Sequence, residues 1–246
     1  MKWRFLPLET MDAFTAMARD EALIQSVSTG GPPTIRFWRW KPSAVSIGRF
    51  QSMDDEINLE KCKELGVDYI RRVTGGGAVY HDYDGEITYS IIAPEGLVSK
   101  GITESYKEIC GWIINGLKAI EISSEFKPIN DIITNGKKIS GNAQTRRQSV
   151  VLQHGTILYD LDVRKMFSLL KVGADKISDK MIQAVEERVT CIKKQKDISY
   201  EETYEAIKNA FLEGKDFEES SWTEEELQNS EELKKKYKSE EWNFNR

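Results

Sequence analysis

The strand-like runs of this chain crowd into its first two thirds, and after Asp160 the pattern turns helical. WRFLPLE, IRFWRW, SAVSIGRF, VDYIRRV, EITYSIIA and SVVLQHGTILYD read as strands, being rich in β-branched and aromatic residues. Helical spacing appears in MDAFTAMARDEALIQSV, in INLEKCKELG and from Thr103 to Ile120, where Tyr106, Ile109, Cys110, Ile113, Leu117 and Ile120 share a face. Three more helical stretches follow Asp160: VRKMFSLLKV, DKMIQAVEERV and SYEETYEAIKNAFLEG. This order predicts an α+β fold, a mixed or antiparallel β-sheet core flanked by helices, in preference to a doubly wound sheet. The 246 residues suffice for a sizeable core, with no internal repeat and no flexible linker.

The net charge of −5 excludes a general nucleic-acid field, and it is unevenly placed. Glu213 to Glu241 holds 11 acidic and 5 basic residues, so the acidity belongs to the tail. No apolar run approaches the roughly 20 residues that span a bilayer, and the N-terminus lacks a signal-peptide pattern. The expectation is a cytoplasmic protein that binds neither nucleic acid nor membrane. Cys62, Cys110 and Cys191 lie far apart without a CxxC pair, which argues against a zinc site or a disulfide scaffold. Only two histidines occur, His81 and His154, both in glycine-containing segments.

Three segments concentrate unusual chemistry. RRVTGGGAVYHD gives up side chains at Gly75, Gly76 and Gly77 after a strand and two arginines. Such a loop fits an anion-binding concavity, or a tight turn or bulge between strands. In NGKKISGNAQTRR, Asn135-Gly136 between strand-like runs signals a type I′ hairpin. Strand alternation then puts Lys138, Ser140 and Asn142 on one face and Ile139, Gly141 and Ala143 on the other. That pattern serves a ligand site or an edge strand guarded by lysine. VLQHGTIL places His154 among apolar neighbours, as a hydrogen-bonded core residue or a pocket residue.

Taken in order, RRVTGGGAVYHD, NDIITNGKKISGNAQTRR and LQHGTILYD resemble the lipoate–protein ligase A family, within the biotin and lipoate ligase superfamily. The resemblance covers roughly residues 1–200, with further similarity in KKYKSEEWN. It implies a class II synthetase-like catalytic domain over 1–200, with 201–246 as a helical acidic extension of the same domain. It also implies an ATP-dependent reaction in which lipoate becomes lipoyl-AMP. The acyl group then passes to a lysine of a carrier domain, in a 2-oxoacid dehydrogenase E2 subunit or glycine-cleavage H protein.

By the same resemblance Lys138 is the catalytic cation between carboxyl and phosphate. Arg71 and Arg72 flank the nucleotide. Gly75, Gly76, Gly77, Ala78 and Val79 close over the adenylate and the ligand chain. His81, Asn130, Gly141, Asn142, Ala143 and His154 complete the pocket, and Asp131 holds Mg²⁺, which favours a carboxylate plus phosphate oxygens. The chain resembles short relatives that work with a separately encoded accessory protein, so activation falls to this chain alone or to this chain with that subunit. The alternative is an ATP-independent octanoyl or lipoyl transferase with a cysteine acyl-enzyme. Members of one such branch resemble KISGNAQTRRQSVVLQHG but carry their cysteine just before the equivalent of Asn130-Asp131, where this chain has SSEFKPIND. A biotin ligase is the remaining relative.

Overall fold

The computed structural model, which describes residues 1–171 and 179–245, arranges the strands in two sheets. The first part of the chain runs β1 (Trp3–Met11), α1 (Ala13–Ser28), β2 (Thr34–Trp40), β3 (Ala44–Ile47), α2 (Met53–Glu56), α3 (Leu59–Leu65), β4 (Asp68–Arg71), β5 (Val79–His81) and β6 (Glu86–Pro94). Then come α4 (Ile102–Ala119), β7 (Glu125–Lys127), β8 (Asp131–Thr134), β9 (Lys137–Arg147) and β10 (Val150–Leu158). The last part is α5 (Val163–Leu169), α6 (Asp179–Glu186), α7 (Ile192–Gln195), α8 (Tyr200–Leu212), β11 (Phe217–Glu219), α9 (Glu224–Lys238) and α10 (Glu240–Phe244). The large sheet has the order β11-β1-β2-β6-β10-β9-β8-β7, and the small one β4-β3-β5. Strand β1 is parallel to β11 and β2, and the rest of the large sheet is antiparallel. The expected mixed sheet flanked by helices is what forms.

Period-two alternation divides the core into layers. Tyr89, Ile91 and Ala93 of β6 join Phe37 beneath Ile109, Ile113 and Leu117 of α4 and Ile207 and Phe211 of α8. Ile92, one residue out of phase, joins Leu6, Trp38 and Leu152 under α1 and Tyr237 of α9. The larger aliphatic and phenylalanine side chains among them contribute roughly 1.5–3 kcal/mol each when fully buried. A third cluster, with Val45, Ile47 and Tyr80 against Cys62 and Leu169, seats the small sheet. The predicted hairpin is present, with positive φ at both Asn135 (49°) and Gly136 (75°) as its turn requires.

One expectation needs revision. The strand in SAVSIGRF stops at Ile47, because the chain turns at Gly48. The acidic tail packs against α1 and the body of the protein. Tyr237 is fully buried, and the Glu226 carboxylate accepts bonds of 2.9 and 2.6 Å from the buried Arg4 guanidinium. No described helix is long and apolar enough to cross a membrane.

Candidate active site

Strands of both sheets open onto one cavity of about 340 Å³. The small sheet supplies Ser46, Val79 and His81; the large sheet supplies Thr88, Lys138, Gly141, Asn142, Ala143 and His154. Met17, Trp38, Leu161, Met166 and Leu170 provide apolar wall. Apolar walls with a few convergent polar groups are the usual character of a small-molecule site.

The glycine segment owes its shape to Arg72 and to close backbone packing. Arg72 Nη2 donates to the carbonyls of Gly75 (2.8 Å) and Gly77 (2.9 Å), so these carbonyls turn toward a buried guanidinium. Gly76 has φ +101°, which L side chains rarely adopt, and a Cβ at Gly48 would lie 2.0 Å from the Gly76 carbonyl oxygen. Burial pushes the Arg72 pKa down to about 10, so it remains a cation near neutrality.

Two carboxylate–imidazole–hydroxyl chains end on that guanidinium. In one, Asp20 Oδ2 lies 2.9 Å from His154 Nδ1, and His154 Nε2 lies 2.7 Å from Thr74 Oγ1. In the other, Glu86 Oε1 lies 2.8 Å from His81 Nδ1, and His81 Nε2 lies 2.8 Å from Ser46 Oγ. Arg72 donates to Thr74 Oγ1 from Nε (3.2 Å) and to Ser46 Oγ from Nη1 (3.1 Å). Burial raises the Asp20 pKa, but the Arg36 guanidinium and His154 outweigh it and hold the carboxyl below its usual range. Burial, against the pull of Asp20, keeps His154 below its ordinary value and hence neutral near pH 7.

Of the residues expected at the site, Arg72, Gly76, Gly77, Ala78, Val79, His81, Asn130, Lys138, Gly141, Asn142, Ala143 and His154 line the cavity. Arg71, Gly75 and Asp131 are not among its lining. Arg71 is fully buried and turned away, donating to the carbonyls of Arg49 (2.9 Å), Trp242 (2.9 Å) and Asn243 (2.8 Å). The Asp131 carboxylate sits 2.6 Å from Lys138 Nζ. The simple alternation expected along β9 also fails. A bulge opposite Ile132 and Ile133 makes Ile139 the extra residue, so Lys138 and Gly141 share a side. Ser140 is fully buried instead of facing the site with Lys138.

Sequence reasoning missed Asp20, Ser46, Thr74, Glu86 and Thr88. Thr74 lies inside RRVTGGGAVYHD but was hidden beside its arginines and glycines; the others stand in no spacing motif, and Asp20 falls within what reads as an ordinary amphipathic helix. The scarcity of histidine was the available signal, since each histidine leads to its carboxylate. The thiols of Cys62, Cys110 and Cys191 are all fully buried and none lines the cavity. Burial pushes Cys62 to about 11 and Cys110 to about 12, and raises Cys191 too.

Residues 12–212 match the lipoyl protein ligase A/B catalytic domain. Octanoyltransferase LipM of Brevibacillus brevis is 36% identical over 276 residues, covering 100% of this chain and 99% of that one. LipM of Staphylococcus aureus is 35% identical, covering 98% of each. Among solved structures, the bi-partite lipoate protein ligase of Thermoplasma acidophilum, described with its E2 lipoyl domain, superposes with a TM-score of 0.90. It is 33% identical, covering 99% of this chain and 96% of that one. The whole-length likeness to octanoyltransferases overturns the ATP-dependent reading. Lipoate activation to lipoyl-AMP, ATP and Mg²⁺ as cofactors, and the nucleotide roles given to Arg71, Arg72, Lys138 and Asp131 are corrected with it. The geometry agrees at two of those positions: Arg71 serves the C-terminal segment, and Asp131 is engaged by Lys138.

Proposed function

We propose, on the premise that this chain belongs to the lipoyl protein ligase A/B catalytic domain family, that it is an ATP-independent acyltransferase. It takes a preformed octanoyl or lipoyl group from a thioester donor and passes it to a lysine of a lipoyl-type carrier domain. The observation that carries this reading is the likeness to octanoyltransferases along the entire chain. The acceptor is inferred from the structural neighbour described together with an E2 lipoyl domain.

The cavity suits the chemistry. Its apolar wall of Met17, Trp38, Met166 and Leu170 accepts a saturated chain and keeps water from the carbonyl. Arg72, held by neutral oxygens, supplies positive potential where an acyl oxygen becomes negative. Lys138, paired with Asp131 and partly exposed, is positioned to orient the incoming acceptor amine beside Asn142. An acyl thioester is already activated, so the accessory subunit expected for an activation step has no part in this reaction.

The test supplies the purified chain with the octanoyl thioester of an acyl carrier protein and a lipoyl domain. The domain should gain the mass of one octanoyl group on one lysine. An unmodified domain would contradict the proposal.

A further inference from the structure

A transferase of this kind either brings donor and acceptor together in one complex or holds the acyl group itself between two visits. The cysteine expected to hold it has no counterpart at the cavity, since all three thiols are buried away from it. A hydroxyl stands there instead. Ser46 borders the cavity, and its Oγ lies 2.8 Å from Nε2 of His81, whose Nδ1 lies 2.8 Å from the buried Glu86 carboxylate.

The surroundings fix this arrangement in the form that nucleophilic catalysis needs. The indole of Trp40 stacks on the His81 ring at 4.2 Å between centroids and 18° between planes, so the imidazole cannot turn away. Trp40 Nε1 donates to Thr88 Oγ1 (2.7 Å), which donates to the same Glu86 oxygen (2.6 Å) and holds the carboxylate in place. With Nδ1 directed at Glu86, Nε2 is the ring nitrogen free to take the hydroxyl proton. Arg72 Nη1 donates to Ser46 Oγ (3.1 Å) and to the Ser46 carbonyl (3.3 Å), placing a cation where an alkoxide would form. Thr74 has a matching imidazole and carboxylate behind it and is as buried as Ser46, but unlike Ser46 it does not border the cavity.

We propose that Ser46 is the nucleophile and carries the acyl group as an ester; this rests on the acyltransferase reading above. In the first half-reaction the Ser46 proton passes to His81 Nε2 as Oγ attacks the thioester carbonyl. The carbon–sulfur bond breaks, and the departing thiolate takes the proton from His81. In the second, the neutral ε-amine of the acceptor lysine attacks the ester carbonyl and gives its proton to His81. The carbon–oxygen bond breaks, Oγ recovers that proton, and an amide remains. The balance is thioester plus amine to amide plus thiol, with no change of oxidation state.

The test incubates the chain with octanoyl-pantetheine in the absence of acceptor, followed by intact mass and peptide mapping. One octanoyl group should appear on Ser46, should survive neutral hydroxylamine as an ester, and should discharge when a lipoyl domain is added. Ser46→Ala should lose the adduct and slow transfer by about a thousandfold or more. Ser46→Cys keeps shape and nucleophile, so it should regain an adduct that hydroxylamine now removes, which guards against mere misfolding. A wild-type chain that octanoylates the domain without ever carrying an adduct, or that carries it on another residue, overturns the role of Ser46 and leaves the acyltransferase reading intact. A wild-type chain that modifies no domain overturns both.

Discussion

Arg72 is the residue on which the site is hung. It donates to two hydroxyls and to carbonyls on the glycine segment and β3. Lysine offers a point charge and three donors in place of a rigid fork. Arg72→Lys should therefore leave Ser46, Thr74 or the Gly75 and Gly77 carbonyls unsatisfied, at a cost of about 2–4 kcal/mol. Transfer should fall with it; urea unfolding and the transfer rate check both. His154 sets the acid response. Its pKa is lowered in the fold, so the unfolded chain takes up this proton first as pH falls. The stability involved is present above the ordinary histidine pKa of about 6.5 and is lost as pH drops below it. Urea unfolding across that range should show the decline, and His154→Gln should flatten it; an equal slope in both proteins would refute the assignment. At this scale the sequence was readable where side chains are rare or absent, at the histidines and the glycine triplet. It was silent on Asp20, Ser46 and Glu86, because their partners come from other elements.

Among the elements, the small strands and the C-terminal helices matter most. Arg71 ends β4, the strand that leads to the glycines, and its guanidinium is clamped by α10 through the Trp242 and Asn243 carbonyls. Trp242 Nε1 returns a bond to the Arg71 carbonyl (2.8 Å), and its ring packs on Tyr237. Trp242→Ala should cost about 2–3 kcal/mol, less than a fully buried tryptophan. It should also loosen the loop at Gly48 that seats Gly76, so transfer should drop more than stability alone explains. Urea unfolding and transfer rates measured below the transition separate the two effects. A tail that could be changed without either loss would show the clamp to be incidental. The long strands and α4 were legible because their periodicity reports one buried face. The three-residue strands β5, β7 and β11 were not, since so short a run carries no period. The β9 bulge was equally hidden, because register depends on the partner strand, and with it went the true neighbours of Lys138.

The described residues form an eight-stranded mixed sheet with α4 and α8 on one face and α1 and α9 on the other, and the small sheet closes one side of the cavity. The fold class was readable from the order of strands and helices alone. The choice between activating a free acid and moving a preformed acyl group was not, because the same pocket residues serve a chain-binding cavity in either case. What shifts that choice is likeness along the full length to octanoyltransferases, together with an arginine and a histidine pair organised around hydroxyls. The most direct measurement sets two donors against each other with one lipoyl domain as acceptor. One is an octanoyl thioester with no nucleotide present; the other is free octanoate with ATP and Mg²⁺. The account predicts octanoylation of the domain from the thioester and none from the free acid. Modification only in the presence of ATP would contradict it.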